Sequence, residues 1–533
     1  MLPAARFLKL GVRLPSLHAL VCALVRRCTQ PPVALILILM LGAGLRFYNL
    51  AVNPPELFGE EIDTYLSVRS IVTTGKDVDG SLQPFLATPY ERHGPIYGIA
   101  GYLSSLVFGN GAFGLRFPAA AFGIVVIALL YGIAIELTKR RDIALTTALF
   151  TAIGPLFIHF SRIGWITDSM LPVLLGGLYA LLRALDPDKA DRPLTVRRLL
   201  PATVLLAAAT YTYHAAWFYV LVLGGSLIIL NFSRFRSIPA RVLFTTVLLW
   251  GALAAPAFWE LGFDPATNFR FHDATTKSFL EFMSTYIGCF SWHYLVSVGM
   301  GDQPFVLREL TGFGGFYWWM VLLMVIGLIG ARSALRTRWM LAWIWIWLVT
   351  YPLGAAFMDD GPNAGRTLAG APVLCIFAAL GLATLLDRAK LFGSRRDLLA
   401  LRGFFLVNVA ISTVWFCTFY FGAYPRLTAK AWESGTETLF ELVRAYEPDY
   451  TRLCIGPFWI GTKDTYLRYY VGKLLIERFD NIDNPACFKP GTLLVSPSDI
   501  APRPHFAPIA AVLGIDGELR GIIAARPNTP PSP

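Results

Sequence analysis

Residues 57–65 read LFGEEIDTY and place three carboxylates, Glu60, Glu61 and Asp63, within one helical turn. They follow an apolar segment of membrane length almost at once. Charge at a membrane boundary is costly and usually has a use. On a helix that starts after the Pro54-Pro55 turn, Glu60 and Asp63 share a face at i,i+3. A carboxylate so placed can act as a general base toward a hydroxyl or amine. A second acid beside it could orient the acceptor or hold a divalent cation. The same negative charge would also stabilise a helix N-terminus with no chemistry at all.

Four further stretches carry polar residues against an apolar background. YERHGPIYG (90–98) sets Arg92 and His93 before a Gly-Pro break and an aromatic, apolar helix, a combination suited to a lipid phosphate. FIHFSRIGWITDSM (157–170) places Arg162 and Asp168 just beyond a span, with His159 inside it. A lone His159 reads as a packing residue. Residues 290–310 contribute Asp302 and Arg308, and MDDGPNAGRTLAG (358–370) contributes Arg366. Arginines here would suit an anionic leaving group. Their plainer reading is buried ion pairs and solvated loop charge.

The elements that must position these residues are membrane helices. Of the 533 residues, 55% are hydrophobic and only 15% charged, where a soluble domain carries about 25% charge. Apolar runs at 33–50, 117–137, 143–160, 168–184, 199–214, 217–231, 242–260, 313–331, 339–357, 368–386 and 403–422 predict eleven spans, with twelve or thirteen as the alternative counts. Basic residues gather in alternate connections: Lys139 to Arg141, Lys189 to Arg198, Arg234 to Arg241, Arg332 to Arg338, and Arg388 to Arg402. These read as cytoplasmic loops, so the net charge of +11 marks orientation and not nucleic-acid binding.

Residues 95–112 are apolar enough for a short span. A crossing there would invert every later loop, so the charge rule predicts a helix lying at the outer surface. The chain then divides into a cytoplasmic basic arm (1–32), a transmembrane domain (33–423) with external loops 51–116 and 261–312, and a small extracytoplasmic α/β domain (424–533) ending in a disordered tail. In the last, WESGTETLFELVRAY predicts a helix with Ser434 and Thr436 as its caps. TRLCIG, GTLLVSPSD and GIIAARP predict strands. The seven cysteines show no metal spacing. Cys454 and Cys487 could pair if this domain is extracytoplasmic.

The chain resembles family-39 glycosyltransferases of the GT-C fold, a group that includes protein O-mannosyltransferases and the aminoarabinose transferases that modify lipid A. The likeness runs over about residues 30–390. It rests on PPELFGEEIDTYLSVRSI, RHGPIYG, GLRFPAAAFGIVVIALLYGIAIEL, ALFTAIGPLFIHFSRIGWITDSMLPVLL, GDQPFVLREL and GPNAGRTLAGAPVL. It implies a polyprenyl-phosphate sugar donor, an extracytoplasmic acceptor, and inversion at the anomeric carbon with an acid of the first external loop as base. That loop typically reads Trp-x-Asp-Glu; here Phe58-Gly59-Glu60-Glu61 stands in its place, with Glu60 at the Asp position and Glu61 or Asp63 as alternatives. The next conserved acid falls on Asp168. Where the family often has Lys before a proline this chain has Gly94, leaving Arg92 or His93 to serve. The implied location is the bacterial inner membrane, multi-pass. A polytopic lipid or glycan transporter and an inactive GT-C scaffold are the competing readings.

Overall fold

A computed structural model describes residues 31–78, 80, 94–263, 278–297, 313–358, 361–456, 463–471, 479–481, 484–497 and 506–526. Residues 1–30 of the basic arm, the tail, and the site candidates Arg92, His93, Asp302 and Arg308 lie outside the described residues.

The described part of the transmembrane domain is helical, and each predicted span falls on a helix. In chain order these are α1 (Pro31–Phe47), α2 (Gly59–Thr74), α3 (Ile96–Phe108), α4 (Ala112–Thr138), α5 (Arg141–Ile153), α6 (Pro155–Phe160) and α7 (Thr167–Ala184). Then come α8 (Val196–Ala209), α9 (His214–Leu230), α10 (Ala240–Phe263), α11 (Phe279–Gly288), α12 (Trp318–Ala334), α13 (Arg338–Ala356), α14 (Ala364–Thr367), α15 (Pro372–Phe392) and α16 (Arg395–Leu427). Among the described residues, five helices are long and apolar enough to cross a membrane, and four shorter apolar helices accompany them. The predicted span 143–160 is broken at Gly154-Pro155 into α5 and α6. Proline at the first position of α6 is compatible with a helix start but cannot donate to the preceding turn.

Helix α3, on the stretch 95–112, has 13 residues. At 1.5 Å per residue it is about 20 Å long, too short for a hydrocarbon core of about 30 Å. Its apolar side chains Leu103, Leu106 and Val107 are exposed.

Helices α12 and α15 pack closely through small residues. A Cβ on Gly327 would stand 1.9 Å from the carbonyl oxygen of Phe377, and one on Gly381 would stand 1.9 Å from that of Leu323. Close backbone approach is how helices associate in lipid, where no hydrophobic force separates them from solvent. By contrast α10 and α16 expose apolar faces, including Phe244, Val247, Leu406 and Trp415, and these are lipid-facing surfaces.

Helix α4 fixes the two ends of the bundle. Arg116 stands in its first turns and Lys139 just past its end, about 35 Å away at 1.5 Å per residue. At the Lys139 end, Asp186 is buried and meets Arg336 at 3.0 Å, Lys189 at 3.2 Å and Lys139 at 3.7 Å. Arg140 bridges Asp142 and Asp387 at the same end. The basic connections thus gather at the end opposite to the acids of α2.

The C-terminal region is a small α/β domain. After α17 (Thr436–Tyr446) come β1 (Arg452–Ile455), β2 (Phe479–Asn481), β3 (Thr492–Pro497), β4 (Ala507–Leu513) and β5 (Leu519–Arg526), in the order β2-β1-β3-β5-β4. β1 runs parallel to β2 and β3, and β5 is antiparallel to β3 and β4. β1, β3 and β5 are the strands the sequence predicts. Cys454 on β1 and Cys487 form a disulfide.

One local expectation is corrected. Neither Ser434 nor Thr436 caps α17: the cap position is Gly435, in the left-handed region at φ 102°. The Ser434 hydroxyl accepts the N–H of Ile515 instead. The capping carboxylate comes from Glu56, far away in the chain.

Candidate active site at the end of the bundle

Chain order sets Phe58 before α2 in extended conformation, so Glu60 and Glu61 fall in its first turn. Successive residues on a helix point about 100° apart, and the two glutamates diverge accordingly. Glu60 is exposed, whereas Glu61 is buried. Asp63 is also buried.

Glu61 is held on every side. Arg116 donates from Nε to Oε1 at 2.8 Å and from Nη2 to Oε2 at 2.9 Å. The N–H of Gly164 donates to Oε1, and that of Phe58 donates to Oε2 at 3.1 Å. Such a bidentate pair with its remaining acceptor sites filled is a strong, specific contact. A buried charge needs this degree of pairing. Gly164 is required by the approach: a Cβ there would lie 2.9 Å from Glu61 Oε1. Glu61 is one of the acids the sequence offers as a base. Its lone pairs are engaged by four donors.

Arg116 does more than pair with Glu61. Its Nη1 donates to the carbonyl of Pro54 at 2.7 Å, its Nη2 also donates to the carbonyl of Glu56, and its guanidinium lies 5.7 Å from the centre of the Trp432 ring. Arg116 therefore joins the loop before α2, α2 itself, α4 and the start of the C-terminal domain.

Asp168 opens α7 and is buried. Its Oδ2 accepts the N–H of Trp165 at 3.3 Å. It lines a cavity together with Arg46, Ser161, Phe157, Phe160 and Leu368. Arg46, from α1, is fully buried and donates to the carbonyls of Gly42, Thr151, Ala152 and Phe157.

Arg162, the arginine the sequence offers to a phosphate, is tied to backbone carbonyls. It is fully buried, and it donates to the carbonyls of Leu45, Arg46 and Asn53 at 3.1, 2.7 and 2.7 Å. Its guanidinium lies over Phe421 and Tyr420, at 5.0 and 5.8 Å. His159, read as packing, is buried with Nδ1 2.9 Å from the Tyr420 hydroxyl.

Arg366 lies in α14, whose first turn is capped by Asn363 accepting the Arg366 N–H at 3.1 Å. The side chain is half-buried. Its neighbour Gly365 meets the ring of Trp165, 3.2 Å from where a Cβ would stand. Trp165 also stacks on Phe160 at 6.0 Å and meets Phe58 edge-on at 6.2 Å. Trp165 thus brings the turns that carry Asp168 and Arg366 to the start of the acid helix.

Among the described residues, no group of three or more His, Cys, Asp or Glu side chains could hold a metal ion. The sequence reading missed Glu56, Arg46, Arg116 and Trp165. A signal existed for the two arginines: each is a lone charge inside an apolar segment, and such residues are rare and have partners.

The bundle with its extramembrane α/β domain is the GT-C fold of membrane glycosyltransferases, and residues 92–259 match the family model described as Dolichyl-phosphate-mannose-protein mannosyltransferase. Two similar solved structures are of ArnT from Cupriavidus metallidurans. In the apo state it is 14% identical with a TM-score of 0.57, covering 96% of this chain and 100% of that one. Bound to undecaprenyl phosphate it is 15% identical with a TM-score of 0.58, covering 93% and 99%. An oligosaccharyltransferase from Archaeoglobus fulgidus, tethered with an acceptor peptide, is 14% identical with a TM-score of 0.51, covering 86% of this chain and 65% of that one. No curated protein sequence matches the chain significantly.

Proposed function

We propose that the chain transfers a sugar from a polyprenyl-phosphate donor to an extracytoplasmic acceptor, a lipid, glycan or protein, with Glu60 as general base. The observation that carries this reading is the division between two adjacent glutamates. Glu61 is spent on Arg116 and two backbone N–H groups, while Glu60, one residue earlier, is exposed. A fold that fixes one acid so firmly fixes the direction of the other.

In the reaction, the acceptor oxygen or nitrogen forms a bond to the anomeric carbon as the bond to the donor phosphate breaks. Glu60 takes the acceptor proton, and the leaving group departs as polyprenyl phosphate. Arg366 and Arg92 are the cations assigned to that phosphate. Asp168 and Asp63 orient the acceptor or sugar. Holding both reactants in one place at the membrane surface supplies much of the rate. The similar ArnT structure bound to undecaprenyl phosphate supports the lipid-linked donor. The disulfide between Cys454 and Cys487 supports an oxidising compartment for the C-terminal domain, and so an outward-facing site.

The test is mass spectrometry of envelope lipids, glycans and proteins from cells with and without the gene. A glycan present only with the gene, and lost again in cells carrying only Glu60→Gln, is the expected result. Envelopes that are identical in all three strains would overturn the reading.

A further inference from the structure

The acid helix α2 does not end at the membrane domain. Its residues Ile62, Tyr65 and Leu66 share one buried core with Leu439, Phe440 and Val443 of α17 and with strand residues such as Leu453 and Leu493. Tyr65 meets the ring of Tyr469 edge-on at 6.2 Å, and the Tyr469 hydroxyl donates to the carbonyl of Asn110. The C-terminal domain therefore builds one wall of the helix that carries Glu60.

A polar connection runs through Glu56. Its Oε2 accepts the N–H of Gly435 at 2.9 Å, and its Oε1 accepts the N–H of Glu437 at 2.6 Å. A carboxylate bridging these two groups caps the N-terminus of α17, where negative charge is favoured. The backbone carbonyl of the same residue accepts from Arg116, which holds both oxygens of Glu61. The chain of contacts thus runs from α17 to Glu56, to Arg116, to Glu61 in the first turn of α2. The groups facing the Glu56 carboxylate are Glu437 on α17, Arg116 on α4, and Tyr470 in the 467–471 turn.

We propose that Glu56 is a positioning residue that couples docking of the C-terminal domain to the geometry of the acid helix, so that Glu60 is correctly aimed only when the domain is seated. The inference deepens the proposed function and rests on its assignment of Glu60. The C-terminal domain, which carries no recognised binding motif, gains a role: it is a clamp on the base.

Amide hydrogen exchange of the full-length protein in nanodiscs tests the coupling. In Glu56→Ala, residues 436–446 and residues 59–68 should both exchange about fivefold faster, the ratio produced by losing a helix cap of ordinary strength. Turnover should fall, while binding of undecaprenyl phosphate in the same nanodiscs stays at the wild-type level. Faster exchange confined to 436–446 would overturn the proposal and reduce Glu56 to a cap. So would wild-type exchange in both segments. If Glu56→Ala does not fold, Glu56→Gln keeps the shape and one acceptor oxygen, and the two segments should still loosen together; separate behaviour again overturns the coupling. Glu60→Gln should leave exchange in both segments unchanged. Full transfer by Glu60→Gln, with coupled loosening in Glu56→Ala, would remove the base assignment and leave the coupling standing.

Discussion

Arg116 grips both carboxylate oxygens of Glu61, at 2.8 and 2.9 Å, and both side chains are completely buried. The pair lies where the loop before α2, two helices and the C-terminal domain converge. Its consequence is directional: with Glu61 turned inward to Arg116, the neighbouring Glu60 must point elsewhere along the helix surface.

Breaking that pair should damage the fold before it damages the chemistry. Glu61→Gln leaves Arg116 buried without its anion, a loss of about 3–5 kcal/mol for a pair of this kind. Arg116→Ala should be as severe. The unfolding temperature of the detergent-solubilised protein reports both. Because the two residues touch, the double substitution Glu61→Leu with Arg116→Met should be less destabilised than the sum of the single changes. Simple additivity would mean the pair is not a unit.

Glu60→Gln should behave in the opposite way. The side chain is exposed, so the protein should fold and melt as the wild type does. Turnover should fall roughly 10²–10⁴-fold through loss of the base. Transfer assayed alongside melting separates the two glutamates. A folded Glu60→Gln protein with full turnover would move the search for the base to Asp63 or Asp168.

Reduction of the Cys454–Cys487 bond should weaken the C-terminal domain alone. The two cysteines are 33 residues apart, and closing a loop of this size stabilises a fold by about 2–4 kcal/mol. Both sulfurs should resist alkylation until reductant is added. Serine at either position should expose the tail domain to protease at lower temperature while the membrane helices remain intact. Free labelling of both thiols in the untreated protein would exclude the bond.

Burial pushes the Glu56 carboxyl up to about 7 from an ordinary value of 4.5, against the lowering effect of the N–H groups of Glu437 and Gly435. The folded state therefore binds a proton between pH 4.5 and 7 that the unfolded state has released. Stability should fall as pH rises through that window and level off above it. Glu56→Gln should remove this component of the slope. Melting temperatures of wild type and variant, measured across the window, supply the difference; parallel curves would show that Glu56 does not contribute to it.

Much of the membrane domain was legible in the sequence because hydropathy and charge are additive along a chain. Every backbone polar group in lipid must be satisfied within its own segment, so long apolar runs can only be helices. The shortness of α3 and the separation of Arg-rich connections from the acids of 60–63 follow from local composition, whereas hydropathy alone predicts one span over 143–160 and does not place the break at Gly154-Pro155. The pairing of Cys454 with Cys487 was open to inference from their place in the polar domain. The side-chain assignments were another matter. Glu60 and Glu61 carry the same side chain, and the approach of Arg116 and Gly164 that buries one and leaves the other exposed is not written in their spacing. Arg162 meets the carbonyls of Leu45, Arg46 and Asn53, partners that the spacing of a lone arginine beside a span does not reveal. Ser434 and Thr436 were reasonable local caps for α17, yet a carboxylate from Glu56 took the position. Each of these outcomes depends on groups distant in the chain and close in space. Local spacing fixes what a residue can do, and tertiary packing decides which of its possible partners it meets.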